Sequence, residues 1–234
     1  MNFRKIASAT MTVVAVGFFV GPANASLVLL SPANFGGTGL GAVNTILTIQ
    51  SPGSSSNETG SVGRVVGNPN DVVLNNAKTG ASQTQTRTIS SLGLTSAANL
   101  RVVFNAVEPG GDNITLNDLQ LTFFSPAGTV LFNSGIFTPV PFINTFTGAG
   151  NSGFVFGLDA TQAAAAQAAA FGSGFGSNLI GLGATASNAT GGVETFFVAN
   201  SPGGGGGGTA IPEPGTIALF GAGLLALVAR RRRS

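Results

Sequence analysis

Apolar residues through the middle of the chain recur every second position over short runs, the period of half-buried strands. Leu100 to Val107 (LRVVFNAV) reads as one strand, and Glu108 to Asn113 (EPGGDN) as a turn-rich loop. Ile114, Leu116, Leu119, Leu121 and Phe123 continue with period two, with a one-residue slip at Asn117-Asp118 that predicts a β-bulge. Ser125-Pro126-Ala127-Gly128 is a turn, and Thr129 to Phe132 returns, so the three runs together predict a meander. Further strands are expected at 27–30, 45–49, 62–66, 72–74, 83–89, 154–158, 179–186 and 193–198. Many short strands punctuated by Gly, Pro and Asn predict an all-β body, a β-sandwich of jelly-roll-like form.

One segment breaks the alternation. Asp159-Ala160-Thr161-Gln162 leads into an alanine run ending at Ala170, helical by propensity, with Asp159 as N-cap and Gln162 as the capping-box partner. Phe171-Gly172 ends this short Ala-rich helix. Most of the phenylalanines fall in or beside strands (Phe123, Phe124, Phe132, Phe137, Phe142, Phe146, Phe154, Phe156, Phe196 and Phe197) and are expected in the core.

Composition narrows the chemistry. The 234 residues include no Cys, His, Trp or Tyr, and only 8% are charged. A thiol nucleophile, a Ser–His couple, an imidazole ligand and a thiolate zinc site are therefore excluded. The net charge of +2 is unevenly placed. Between Ser26 and Ile211 only Arg64, Lys78, Arg87 and Arg101 are basic, against seven acidic residues. The body lacks a basic patch, so nucleic acid is not an expected partner.

The remaining basic residues mark the ends. Arg4-Lys5 precedes a mostly apolar run from Ile6 to Val20; Gly21-Pro22 then breaks the helix, and Ala23-Asn24-Ala25 supplies small residues at −3 and −1. Residues 1–25 therefore read as a signal peptide handled by the Sec machinery and signal peptidase, with cleavage between Ala25 and Ser26. Residues 26–200 form one exported β-rich domain. Gly203 to Gly208 lie within a flexible linker at 201–210.

Residues 211–234 follow a tripartite order. Pro212-Glu213-Pro214 holds the backbone extended around one carboxylate. Thr216 to Ala229 (TIALFGAGLLALVA) is uncharged, about 21 Å long as a helix. This single transmembrane helix is short for a ~30 Å hydrocarbon core, and snorkelling arginines make up part of the difference. Arg230, Arg231, Arg232 and Arg233 act as a stop-transfer cluster that stays cytoplasmic, leaving the body outside.

This order resembles the PEP-CTERM sorting signal. The resemblance implies an exosortase partner, a membrane-embedded enzyme of bacteria that make extracellular polysaccharide. It also implies recognition through Pro212, Glu213 and Pro214 and a transient membrane anchor. Processing would then deliver the body to the cell surface or extracellular matrix.

Within the body no catalytic constellation stands out, and no cofactor is expected. Asp112-Asn113 and Asn117-Asp118, with Glu108 nearby, offer hard oxygens that Ca²⁺ would accept. Turn chemistry explains the same residues and is the favoured reading, so Asp112 and Asp118 stand only as the calcium candidates. The chain is expected to be a structural or adhesive protein, not an enzyme. The alternative is a carbohydrate-binding module on the same sorting route, with extracellular polysaccharide as its partner.

Overall fold

A computed structural model describes residues 27–33, 43–53, 55–80, 83–106, 108, 112–143 and 153–201. The signal-peptide positions Ala23, Ala25 and Ser26, the tail from residue 202 onward and Phe146 lie outside them. Twelve strands and one α-helix run β1 (Val28–Ala33), β2 (Thr45–Ile49), β3 (Asn57–Gly63), β4 (Val72–Asn75), β5 (Arg87–Thr88), β6 (Leu100–Asn105), β7 (Ile114–Phe124), β8 (Val130–Asn133), β9 (Val140–Phe142), β10 (Gly153–Gly157), α1 (Ala160–Ala170), β11 (Leu179–Ser187) and β12 (Glu194–Asn200).

The strands make two antiparallel sheets. One is ordered β1-β10-β6-β12-β2; the other is ordered β4-β3-β11-β7-β8, with β5 also on β11 and β9 also on β7. A shared core lies between them. Ile46, Leu100, Val102, Phe104, Phe156 and Phe196 of the first sheet join Val62, Leu116, Leu121, Phe123, Ile180 and Leu182 of the second in one buried cluster. Phe104 is its hub, stacked on Phe196 at 4.8 Å between centroids and tilted against Phe142 at 5.7 Å. Such aromatic pairs add to the area term that dominates burial.

The arrangement is a β-sandwich, as the alternation predicted. The meander is not formed. β6 pairs with β10 and β12 in one sheet, while β7 pairs with β8, β9 and β11 in the other. The cause lies in β6 itself. Leu100, Val102 and Phe104 face the shared core, while Val103 joins Val155 and Phe197 in a separate buried cluster. A strand apolar on both faces suits a central position, and a hairpin with β7 would not supply it.

The bulge in β7 is where the phase slip placed it. Asp118 pairs with Thr185 and Leu116 with Ala186, leaving Asn117 as the extra residue. The helix also matches, since Asp159 Oδ1 accepts from the Gln162 backbone N–H at 2.8 Å. The reciprocal half of the capping box is absent. The buried Gln162 side chain donates instead to the Ser134 carbonyl at 2.9 Å, tying α1 to the segment after β8. At 83–89 only Arg87–Thr88 pairs as a strand, and Val140–Phe142 is a strand that alternation did not mark. The third candidate strand, 62–66, is displaced toward its N-terminal side, as Asn57–Gly63.

Topology sets up two unlike ends. The connections β2 to β3, β6 to β7 and β11 to β12 each cross from one sheet to the other. β12 begins at Glu194 opposite Ile49 of β2, and runs to Asn200 opposite Leu100 of β6. Val28 of β1 pairs with Gly157 of β10, which pairs with Arg101 beside that same Leu100. Both β1 and β12 therefore have their outer termini at one end, and these three of the sheet-to-sheet connections lie at the other.

Candidate functional site

At the crossover-loop end three glutamates from separate segments converge. Glu58 lies on β3, one residue from its start, on the same face as the core residue Val62. Glu194 opens β12 on the face of Phe196 and Val198, so it enters the interior from the opposite sheet. Glu108 lies in the β6–β7 crossover. All three are 0–1% exposed.

Two of them are clamped by neighbouring loops. Glu58 Oε1 accepts from the Ser51 backbone N–H at 2.7 Å and its hydroxyl at 2.9 Å. Glu108 Oε2 accepts from the Thr190 N–H at 2.8 Å and its hydroxyl at 2.9 Å. Their other oxygens, Glu58 Oε2 and Glu108 Oε1, receive no donor, and neither does either oxygen of Glu194. A protonated Glu194 has one O–H to donate, and Glu58 and Glu108 are the acceptors beside it. Desolvation first, then contact with Glu58 and Glu108, pushes its carboxyl up to about 10.

The described residues supply no countercharge here. Among the described residues the one ion pair is Arg64–Asp71 at 2.8 Å. Lys78 donates to Gln50, Arg87 to the Thr45 carbonyl, and Arg101 to the carbonyls of Ala98 and Leu100. Beside the cluster lies a cavity of about 320 Å³ lined by Gln50, Ser51, Gly53, Ser55, Ser56, Ala189, Thr190 and Gly191. Ser51 and Thr190 thus line the cavity and clamp the glutamates at once.

The two aspartates proposed from sequence are not gathered into one group. Asp112 is exposed at the loop end, where its Oδ2 accepts from the Thr190 hydroxyl at 3.1 Å. Asp118 sits on the outer face of the second sheet beside Thr185; partial burial raises its carboxyl pKa, against the lowering effect of the Leu119 N–H. Among the described residues no group of three acidic side chains could hold a metal ion. Glu194 instead contacts both Glu58 and Glu108. Sequence reading missed this cluster because its members lie 50 and 86 positions apart, at Glu58, Glu108 and Glu194.

A second feature is a shallow groove of about 180 Å³ on the outer face of the seven-stranded sheet, lined among others by Ser61, Arg64, Gln120, Thr122, Phe124 and Gly183. Phe124 lies across Gly63 and Gly181, filling the space their missing side chains leave.

Comparison with known families matches residues 210–233 to the PEP-CTERM protein-sorting motif. It covers Pro212, Glu213, Pro214 and Arg230 to Arg233, which lie outside the described residues. No curated protein and no solved structure matches the chain. The chain carries a PEP-CTERM sorting signal, which implies an exosortase as processing partner and export through a membrane-anchored intermediate. Among the described residues no helix is long and apolar enough to cross a membrane.

Proposed function

We propose that the body is a jelly-roll sandwich displayed at the cell surface or in the extracellular polysaccharide matrix, where it acts as a structural or adhesive element without catalysing a reaction. The observation that carries this reading is the sorting motif at 210–233, reached through the six-glycine linker from the final strand of the sandwich. Nested pairing supports the jelly-roll form, since β2 lies beside β12 in one sheet and β3 beside β11 in the other. Geometry also favours display. The last described residue, Ser201, hydrogen-bonds to the Asn99 carbonyl at the end opposite the glutamates. A body tethered there presents its crossover loops away from the attachment point.

A second reading, a carbohydrate-binding module, is favoured by the outer groove. Gln120, Thr122, Ser61 and Arg64 supply donors and acceptors suited to hydroxyl groups. Phe124 is buried and offers little ring face, so sugar stacking would contribute little. Co-sedimentation of the full chain with the host's own polysaccharide distinguishes the two. The leading reading expects matrix cohesion to fall on gene deletion and to return with a Gln120→Ala/Thr122→Ala double variant. The carbohydrate reading expects that variant to lose polysaccharide binding by tenfold or more. Unchanged cohesion and adhesion on deletion would overturn the leading reading.

A further inference from the structure

The end of the sandwich from which the sorting tail departs differs in surface chemistry from the crossover-loop end. Ser201 donates to the Asn99 carbonyl, and Asn200 donates to the Gly93 carbonyl. Gly93 follows β5, which pairs with Leu179 and Ile180 at the start of β11, so the two sheets meet here as well. β3 and β7 come from the crossover loops and finish at this end, at Gly63 and Phe124. Exposed apolar side chains gather around it. Val65 and Val66, 53% and 67% exposed, follow β3 and lie against Gly128 of the β7–β8 turn. Val130, 55% exposed, opens β8 just past that turn. On the other sheet Val28, Leu29 and Leu30 start the edge strand β1 and are 36–46% exposed. Of the exposed large apolar side chains among the described residues, Leu74, Ile136 and Ile143 lie elsewhere. The charges are also divided. Arg87 and Arg101 donate to backbone carbonyls at the tail end, and neither has an acidic partner among the described residues. Asp71 is paired with Arg64, and Asp159 caps α1. The crossover end holds Glu58, Glu108, Asp112 and Glu194 against Lys78.

We propose that the tail end of the body docks on an anionic phospholipid surface while the sorting tail holds the chain in the membrane. Val65, Val66, Val130 and the start of β1 enter the interface, and Arg87 and Arg101 supply the attraction to phosphate headgroups. The inference rests on the membrane-anchored intermediate that the sorting motif implies. Chain length names the occupant. Residues 202–215 separate Ser201 from the apolar run that begins at Thr216, and they reach at most about 50 Å when extended. The bilayer is therefore the surface that this end meets first and most often. Confinement by a short tether amounts to an effective concentration of about a millimolar, so a contact too weak to recruit a free protein suffices. Charge agrees with that occupant. A basic side chain near an anionic leaflet gains about fivefold in binding, while the acidic crossover end is repelled, which orients the body with its loops outward. Apolar area adds to the attraction, as it does for other proteins that lie on an interface without spanning it. Leu30 shows the pairing in miniature. Its Cδ1 and the Arg101 Nη1 stand 2.8 and 3.5 Å from the point that a Cβ on Gly157 would occupy, so an apolar and a cationic group share one surface.

The test reconstitutes the full chain into vesicles of phosphatidylglycerol and phosphatidylcholine. The chain has no Trp, so a single introduced Trp reports without background. Ala127→Trp places one at the exposed β7–β8 turn, and Ser56→Trp places one in the β2–β3 crossover. Brominated lipid should quench the first several times more than the second. A tether alone also brings Ala127 nearer the bilayer, so the deciding readout is what abolishes the quenching. It should fall about fivefold or more in an Arg87→Gln/Arg101→Gln background, and by a similar factor at high salt or in pure phosphatidylcholine. Val65→Ser, Val66→Ser and Val130→Ser together should also reduce it severalfold, and exposed positions tolerate that change without loss of the fold. Equal quenching at the two reporter sites, or quenching at Ala127→Trp that is indifferent either to charge and salt or to the three valines, would overturn the proposal. If the arginine variant does not fold, the salt series decides the charge arm. Flotation of the vesicles reports retention of the tail separately, so a chain that floats without being quenched refutes the docking and leaves the anchored intermediate standing.

Discussion

Two glycines on one strand should respond to the same substitution in opposite ways. Gly181 and Gly183 both face outward from β11, two residues apart. A Cβ on Gly181 would stand 2.9 Å from Phe124 Cε2 and 3.2 Å from Gly63 Cα, and closer still to the Val62 carbonyl oxygen. Two of those three obstacles are backbone of β3, so relief requires prising β3 from β11. A Cβ on Gly183 meets only Ser61 Cβ at 3.5 Å and the Gly60 carbonyl oxygen at 4.0 Å, ordinary contact distances. Overpacking costs about 1–3 kcal/mol, and backbone obstruction places Gly181→Ala at the upper end. At about 2–4 °C per kcal/mol for a domain of this size, its midpoint should fall by about 6–12 °C. Gly183→Ala should instead gain about 0.4–1 kcal/mol by restricting the unfolded chain, raising the midpoint by a few degrees. Thermal and urea melts of the full chain, followed by circular dichroism, read both. Truncating Phe124 to Ala in the Gly181→Ala background should recover only part of the loss, because the β3 backbone remains in place. A neutral Gly181→Ala, or equal losses at the two sites, would refute the close-packing argument.

Other outcomes follow from single contacts. Phe104→Ala removes the hub of the aromatic core, a fully buried ring with three phenylalanine partners at 4.8–6.2 Å, and should cost about 3–5 kcal/mol in chemical denaturation. Asp159→Ala deletes the N-cap of α1 and should lower stability by about 1 kcal/mol in the same assay, with the sandwich retained by circular dichroism. Gln162→Leu should cost more than Asp159→Ala, since it leaves the Ser134 carbonyl without its buried donor.

The parts of this fold that were legible in sequence are those governed by local periodicity. β2 and β7 with its bulge at Asn117 can be read from alternation, and α1 from its alanines and Asp159. What could not be read depends on partners distant in sequence. Nothing local tells β6 to pair with β10 and β12 in place of β7; the choice comes from burying Val103 on its second face. Gln162 fits a capping box locally, yet a buried carbonyl at Ser134 claims its amide. Glu108 read as part of a turn because its partners, Thr190 and Glu194, lie more than 80 residues away. The same loop suggested Asp112 with Asp118, neighbours in sequence that the bulged strand sends to different surfaces. The sorting signal was legible for the opposite reason. Its motif, span and arginines are contiguous, and its recognition rests on order along the chain.

The central claim is that the chain is exported and cut at both ends. Mass spectrometry of the mature protein from the native host tests it directly. The account predicts a species beginning at Ser26, ending near Pro212-Glu213-Pro214 and lacking Arg230 to Arg233. A Glu213→Ala variant should accumulate as a membrane-bound precursor that retains the arginines. Recovery of intact Met1–Ser234 as the envelope form of the wild type, or normal maturation of Glu213→Ala, would contradict it.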